Sequence, residues 1–254
     1  FVALRKDFTD FMSEIFPIFE MISEEEISIG LDGLIRKVGL APIALDRVYL
    51  PIAQHIDVTR LVDRAGKECG LGPRSCLTDI TKQIGMIIDT GVRRAVLVDD
   101  VIFSGGLILR LVECLSRAGI SVPVVCAGVG IRKGVDRIKR SGVEVLCVRL
   151  YDEVVDEVCE RDFYPGVPYS GRELVGGGGV GLPYLLPFGD PVKWASIPEN
   201  KKEEFSRFCI GQTIRLFEEI EKRSMRIVRC CDLPRFVIGF PRDDTRFVDC
   251  LRAI

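Results

Sequence analysis

Short apolar runs alternate with helix-periodic stretches through the middle of the chain. Residues 95–98 form an uninterrupted apolar run, typical of a central parallel strand, and residues 108–118 repeat apolar side chains at helical spacing. Two further apolar runs, 122–129 and 143–150, flank a short basic helix at 133–140. This order predicts right-handed βαβ units, and therefore an α/β fold with a parallel sheet flanked by helices.

The pattern before this block is less regular. Residues 4–38 carry two helical periods, which predict a pair of N-terminal helices. Residues 48–52 are mostly apolar and predict a short buried strand. A polar loop at 54–59 follows, and then a short helix is predicted at 61–69.

The pattern changes again after the third strand of the block. Residues 152–160 predict an amphipathic helix, whose acidic residues form its solvated face. Residues 161–198 show no period and are rich in glycine, proline and aromatic residues, as is typical of a functional or mobile loop. A helix is predicted at 199–223 and a pair of strands at 227–239.

These changes of pattern predict three parts of the chain. Residues 1–40 form an N-terminal helical segment, and residues 41–162 form the α/β core. Residues 163–254 form a long loop followed by a C-terminal α+β subdomain.

Composition narrows the class of protein. The chain has 254 residues, 47% of them hydrophobic, so it can bury a substantial core, and its net charge of −2 gives no reason to expect nucleic-acid or membrane binding. The sequence shows no pattern of a secretory signal and no apolar run long enough to cross a bilayer, so we expect neither feature. Ten cysteines occur without C-x-x-C spacing, as expected for buried thiols in a reducing cytoplasm. We therefore expect a cytoplasmic protein.

The segment from Val96 to Gly106 carries the clearest chemistry. It places Asp99 and Asp100 at the carboxyl end of a buried strand, where open α/β sheets bind their ligands. A turn of small residues, Ser104 to Gly106, then leads into a helix, whose exposed N–H groups and dipole favour a phosphate. The two carboxylates can accept hydrogen bonds from a vicinal diol. The segment is therefore suited to hold a sugar phosphate by both ends.

This segment resembles the phosphoribosyl pyrophosphate (PRPP) motif of the type I phosphoribosyltransferases. The resemblance runs from about residue 93 to residue 119, and the order of strands and helices agrees as far as Leu150. It implies a type I phosphoribosyltransferase-like, Rossmann-like core with Mg²⁺ bound through PRPP. It also implies that Asp99 and Asp100 bind the ribose hydroxyls and orient the ribose in catalysis. The residues that would wrap the 5-phosphate are Phe103, Ser104, Gly105, Gly106 and Leu107.

The chain departs from the family pattern in three ways, one of which is a specificity region that matches no known substrate. The family usually has Thr or Ser where this chain has Leu107, so one phosphate-binding hydroxyl is missing. The family also has a glycine-containing pyrophosphate loop, and the corresponding stretch at residues 53–59 has no glycine. Gln54 and His55 are the candidate pyrophosphate contacts there, although a packing role for the single histidine is the better default.

In the resembled family, the region after the third strand often covers the base or other acceptor. The resemblance therefore implies that the aromatic-rich stretch here is an acceptor-covering loop with candidate acceptor contacts. Phe163, Tyr164 and Tyr169 could stack on a planar ring, and Arg172 could bind an anion. The alternative is a turn-rich loop packed by its own aromatic side chains, and the sequence leaves both open.

Three functions are compatible with the sequence. The first is an enzyme that transfers a phosphoribosyl group from PRPP to a nitrogen acceptor and releases pyrophosphate. The second is a non-catalytic protein on the same fold that senses PRPP or a nucleotide. A Rossmann-type dinucleotide enzyme ranks last, because no G-x-G-x-x-G follows the first strand. In the first two cases we expect a small-molecule ligand, no nucleic-acid or membrane partner, and a homodimer.

Overall fold

The structure, a computed structural model, describes residues 2–51, 54–74 and 78–254. The elements of the first half of the chain are, in order, α1 (Val2–Ile15), α2 (Glu24–Val38), β1 (Ala41–Ala44), β2 (Val58–Val62), β3 (Glu68–Pro73), α3 (Ile80–Asp89), β4 (Arg94–Ile102) and α4 (Gly106–Arg117). Those of the second half are β5 (Ser121–Ile131), α5 (Arg132–Lys139), β6 (Glu144–Tyr151), β7 (Arg172–Leu174), β8 (Val180–Leu182), α6 (Pro191–Ala195), α7 (Lys202–Ser224), β9 (Phe236–Val237) and α8 (Phe247–Arg252).

These elements form two compact units, and both units are discontinuous in sequence. One unit contains residues 22–58 and 77–155, and the other contains residues 1–21, 59–76 and 156–254, apart from the undescribed positions. The predicted boundaries at residues 40 and 162 do not coincide with this division, because α2 packs on the strands β4, β5 and β6 of the first unit.

The first unit is built on a four-stranded sheet in the order β1-β4-β5-β6, with every pair parallel. Helix α2 covers one face, where Ile27 and Leu31 pack with Val96 and Val98 of β4. The other face is covered by α3, α4 and α5, whose apolar side chains pack with Leu97 and its neighbours. The predicted fold class, a parallel α/β sheet flanked by helices with further N- and C-terminal elements, is confirmed.

The second unit contains a mixed five-stranded sheet in the order β3-β2-β7-β8-β9. Strand β7 pairs parallel with β2 and antiparallel with β8, and β9 pairs parallel with β8. The core of this unit is rich in aromatic side chains, and its largest fully buried members are Phe8, Phe163, Phe205 and Phe247.

The predicted first strand at residues 48–52 is wrong. The first strand is β1, and residues 47–49 form a turn in which the Asp46 carboxylate accepts the N–H of Val48 at 2.6 Å. The sequence pattern did not predict β1 because this strand contains Pro42, and proline is more typical of loops than of strands. Proline is tolerated in β1 because this strand lies at the edge of the sheet. Ile52, the end of the predicted strand, lies outside the described residues.

Two predicted helices are also wrong. Residues 61–69 belong to β2, a turn and β3, and the Asp63 side chain accepts the N–H groups of Ala65 and Lys67 within that turn. Residues 152–159 contain no helix. The adjacent β-branched residues Val154 and Val155 disfavour a helix there, and Val155 is exposed rather than buried.

The remaining helices and strands of the core agree with the pattern. The predicted N-terminal helices, the block from residue 95 to residue 150 and the long helix α7 are confirmed within a few residues. Of the predicted strand pair at 227–239, only β9 is present, and α3 and α8 were not predicted. The stretch 161–198, predicted as a loop, contains β7, β8 and α6. In the described part of the chain, none of the helices has the length and apolar character needed to span a bilayer.

Candidate functional site

Two adjacent acids lie at the carboxyl end of β4, an inner strand of the parallel sheet. The strand continues through them to Ile102, so both Asp99 and Asp100 belong to β4. Asp99 is 7% exposed, and its Oδ1 accepts the N–H of Asp100 at 3.1 Å. The Oδ1 of Asp100 accepts the N–H of Val101 at 2.8 Å. Both carboxylates are therefore oriented by the backbone of their own strand.

The environment of Asp99 disfavours its ionised form. Burial raises the pKa of this carboxyl well above its usual range, and the charges of Asp100 and then Asp46 raise it further. Asp46 lies just after β1, the strand that pairs with β4, and is itself buried. Three carboxyl groups from two adjacent strands thus contribute to the acidic side of the site.

The predicted phosphate turn follows this acidic end. Phe103 and Ser104 are exposed, and Gly105 has a φ of 72°, a left-handed conformation that glycine adopts without strain. Helix α4 begins at Gly106, whose N–H is donated to Ser104 Oγ at 3.4 Å. The first turn of α4 contains no acidic residue, and the N-cap residue, Gly105, has no side chain that could cap the helix. Its positive end is therefore available to an anion.

Leu107 is half-buried and packs against the apolar core of this unit. Its side chain therefore contributes to packing at the position where the resembled family has a hydroxyl. The backbone N–H groups of the first turn remain suitable phosphate donors without it.

The loop that directly follows β1 spans residues 45–50 and, like the stretch at residues 53–59, has no glycine. Arg47 donates two hydrogen bonds to the buried Asp57, from Nε at 2.8 Å and from Nη2 at 2.6 Å. The N–H of Asp57 is donated in turn to the side chain of Gln83. These contacts tie the loop to the stretch before β2, which is tied in turn to α3.

Gln54 and His55, the candidate pyrophosphate contacts, pair with the end of β1. The N–H of Ala44 is donated to Gln54 O, and His55 forms a parallel bridge with Ala44. The His55 ring nitrogen Nε2 lies 3.0 Å from Leu50 O, and Gln54 Nε2 donates to Thr90 Oγ1 at 3.0 Å. These contacts favour the packing role of His55. Ala53, the start of the predicted loop, lies outside the described residues.

Two of the candidate acceptor contacts are core residues of the other unit. Phe163 has no exposed surface and meets Phe205 edge-to-face at 4.9 Å between ring centroids. Tyr164 is also buried, and its hydroxyl donates to Glu160. Burial of this ring raises the pKa of Tyr164. For these two side chains the contacts favour the packing alternative over stacking on a ligand.

The other two candidates are held by cation–π contacts. The guanidinium of Arg172 is 4.6 Å from the centre of the Trp194 ring and 5.5 Å from that of Tyr184. Tyr169 is half-buried and has a φ of 64°, and the Arg74 guanidinium lies 4.8 Å from its ring centre. Arg172 is buried, so its place is fixed by the two rings beside it.

Two residues at the site were missed at the sequence level. Asp46 is close enough to Asp99 to raise the pKa of Asp99, although 53 positions separate the two along the chain. Arg137 of α5 donates to Ser104 O from Nη1 at 3.2 Å. Neither had a local signal, because Asp46 lies between the predicted N-terminal helices and the predicted strand at 48–52, and Arg137 lies among other basic residues of a short helix.

The donor set fits a magnesium ion only in part. Within the described residues, no group of three or more histidine, cysteine or acidic side chains could hold a metal ion. Mg²⁺ is commonly held by one or two carboxylates together with phosphate oxygens of a substrate. Asp99 and Asp100 satisfy that smaller requirement.

Comparisons with known proteins return structures alone. No family model matches the chain, and no curated protein matches it. The chain is similar to orotate phosphoribosyltransferase from Aeropyrum pernix, with 20% identity, a TM-score of 0.31 and coverage of 50% of this chain and 72% of that one. It is also similar to adenine phosphoribosyltransferase from Thermoanaerobacter pseudethanolicus, with 12% identity, a TM-score of 0.33 and coverage of 49% and 80%.

A third similar structure is adenine phosphoribosyltransferase from Trypanosoma brucei in complex with AMP, pyrophosphate and ribose-5-phosphate. The identity is 18%, the TM-score is 0.32, and the match covers 52% of this chain and 70% of that one. These similarities concern the fold alone.

Proposed function

We propose that this protein is a phosphoribosyltransferase that binds PRPP at the carboxyl end of β4 and the start of α4. It transfers the phosphoribosyl group to a nitrogen acceptor and releases pyrophosphate. The observation that carries the proposal is the sequence of groups along one segment: two oriented carboxylates, a glycine turn and a helix N-terminus whose N-cap residue has no side chain. This order matches the two ends of a ribose 5-phosphate.

Each part of the segment has a separate task in this proposal. Asp100 accepts hydrogen bonds from the ribose hydroxyls, and Asp99, whose pKa is raised, can share a proton with them. The backbone N–H groups in the first turn of α4 hold the 5-phosphate with the help of the helix dipole. Displacement at the anomeric carbon builds positive charge on the ribose, so the chain acts by position and electrostatics.

Mg²⁺ would neutralise part of the pyrophosphate charge when bound with the substrate. Asp99 and Asp100 are the residues that would contact it or orient the hydroxyls that do.

A second candidate is a protein on the same fold that senses PRPP or a nucleotide without turning it over. The loop after β1 favours this alternative for two reasons. It has no glycine that would let a pyrophosphate approach its backbone, and the ion pair of Arg47 and Asp57 ties it to the stretch before β2. Asp46 in the same loop adds negative charge near Asp99, and that charge opposes a bound pyrophosphate.

The test is an incubation of the protein with labelled PRPP, Mg²⁺ and a panel of nitrogen bases. Release of pyrophosphate that depends on one base supports the transferase. Calorimetric binding of PRPP or a nucleoside monophosphate without pyrophosphate release supports the sensor. If neither PRPP nor any nucleotide binds, both proposals are wrong.

A further inference from the structure

Helix α5 approaches the phosphate turn through two glycines. A β-carbon added at Gly134 would lie 2.2 Å from the carbonyl oxygen of Phe103, and one at Gly105 would lie 2.8 Å from the carbonyl oxygen of Gly134. Real side chains do not tolerate such distances to backbone atoms. The backbone of α5 therefore packs directly against the backbone of the turn, and this contact requires glycine on both sides.

This close contact positions Arg137 beside the turn. Residues three apart share a helix face, so Arg137 lies on the same side of α5 as Gly134. Its Nη1 donates to Ser104 O at 3.2 Å and would be 3.7 Å from a β-carbon placed on Gly106. The guanidinium therefore lies next to the first residue of α4.

The charge and exposure of Arg137 suit it to an anion at this position. The side chain is exposed, and Ser104 O is its one hydrogen-bond partner within residues 2–51, 54–74 and 78–254. The first turn of α4 contains no acidic side chain that would compete for it. A guanidinium has several planar N–H donors, so one bond to a carbonyl leaves the geometry needed for two phosphate oxygens.

We infer that Arg137 is a phosphate-binding residue of this site and replaces the hydroxyl that Leu107 lacks. The inference rests on the proposed function, because it assumes that a ribose 5-phosphate group occupies the turn before α4. Arg137 contributes a full positive charge there, whereas a hydroxyl contributes one neutral donor. The site consequently selects a terminal phosphate monoester, and its affinity falls with ionic strength.

The experiment measures the affinity of ribose 5-phosphate by calorimetry at low and high salt. We expect Arg137→Met to weaken binding by about tenfold or more, as for the loss of a charge-assisted hydrogen bond, and to reduce the salt dependence. The matched control is Arg140→Met, one residue beyond α5, because Arg140 is also exposed and donates to Asp136 O of the same helix. The affinity of the Arg140→Met variant for ribose 5-phosphate should stay within about twofold of that of the unchanged protein.

A second substitution tests the relation to Leu107. Leu107→Thr restores a hydroxyl, so we expect it to recover several-fold of the affinity in the Arg137→Met background. Arg137→Lys serves where the methionine variant fails to fold, as judged by circular dichroism. Lysine keeps the charge and loses the planar fork, so we expect a loss of about threefold or more.

The outcomes separate this inference from the proposed function. If the unchanged protein binds ribose 5-phosphate and the Arg137 variants bind it equally well, the role of Arg137 is overturned while the site stands. If the unchanged protein binds no ribose 5-phosphate at all, both are overturned.

Discussion

Arg47 and Asp57 form a two-pronged ion pair, with N···O distances of 2.8 and 2.6 Å. The Asp57 side chain is 3% exposed, whereas that of Arg47 is 45% exposed. The pair joins the turn after β1 to the stretch that leads into β2, across ten positions of the chain. The pair therefore restrains the loop that places Asp46 near Asp99 of β4.

Loss of Arg47 should destabilise the protein. Arg47→Met leaves a buried carboxylate without its cationic partner, and we expect the free energy of unfolding to fall by about 2–3 kcal/mol in urea titrations. Arg36→Met is the control, since it removes an exposed pair with Asp32 in α2 and should change stability by less than about 0.5 kcal/mol. Adding Asp57→Asn to Arg47→Met should recover part of the loss. Equal stability of both single arginine variants would contradict this role.

The stability of the protein should depend on the ionisation of Asp99. Its pKa is raised above the ordinary value of 3.8 by burial and by the charges of Asp100 and Asp46, so the folded state holds this proton more tightly than the unfolded chain. The stabilisation from the protonated form is fully present below pH 3.8 and is lost as the pH rises through the folded-state pKa. Asn cannot ionise, and so Asp99→Asn should raise stability at neutral pH.

The measurement is the difference in Tm between Asp99→Asn and the unchanged protein from pH 4 to pH 8. We expect it to vanish near pH 4 and to reach about 2–4 °C near pH 7, the shift that about 1 kcal/mol gives in a chain of this size. Asp152→Asn is the control, because Asp152 is exposed and pairs with Arg132 at the surface. A Tm difference that stays constant across this pH range would show that Asp99 does not titrate as described.

Asp100 should matter for the ligand more than a surface acid does. Its carboxylate is oriented by the N–H of Val101 at the carboxyl end of β4, where the ribose hydroxyls are proposed to bind. We expect Asp100→Asn to weaken ribose 5-phosphate binding by about tenfold in calorimetry. Asp152→Asn should leave the affinity unchanged. The same affinity in both variants would remove Asp100 from the site.

The central block of the fold could be predicted because its local signals agree. The strands from β4 to β6 are long apolar runs, and α4 repeats apolar residues at helical spacing between two of them. The same agreement located Asp99 and Asp100 at a strand end. At β1, Pro42 interrupts the apolar pattern that indicates a strand. The first strand was therefore predicted at 48–52 instead of at Ala41–Ala44.

Contacts between distant residues could not be predicted in this way. Arg137 and Ser104 are 33 positions apart, and their contact depends on how closely two backbones approach. Burial of Phe163 likewise depends on α1 and α7, whose rings surround it from both ends of the chain. An aromatic residue in an irregular stretch has no local pattern that separates a core role from a ligand contact.

The contact between Gly134 and Phe103 O predicts opposite effects for two similar substitutions. Gly134→Ala places a methyl group 2.2 Å from that oxygen, so α5 must move away from the turn, and we expect a loss of about 1–3 kcal/mol in unfolding free energy. Gly33→Ala is the matched control, because Gly33 lies within α2 with no atom near the added methyl group, and alanine should stabilise that helix by about 0.5–1 kcal/mol.

The same displacement should reach the ligand through Arg137. If α5 moves, the guanidinium leaves the start of α4, so Gly134→Ala should weaken ribose 5-phosphate binding by several-fold, whereas Gly33→Ala should not change it. Urea titration and calorimetry on the two variants measure both effects. A Gly134→Ala protein that is destabilised but binds with full affinity would mean that the contact supports the fold alone, because the phosphate would then be held without α5.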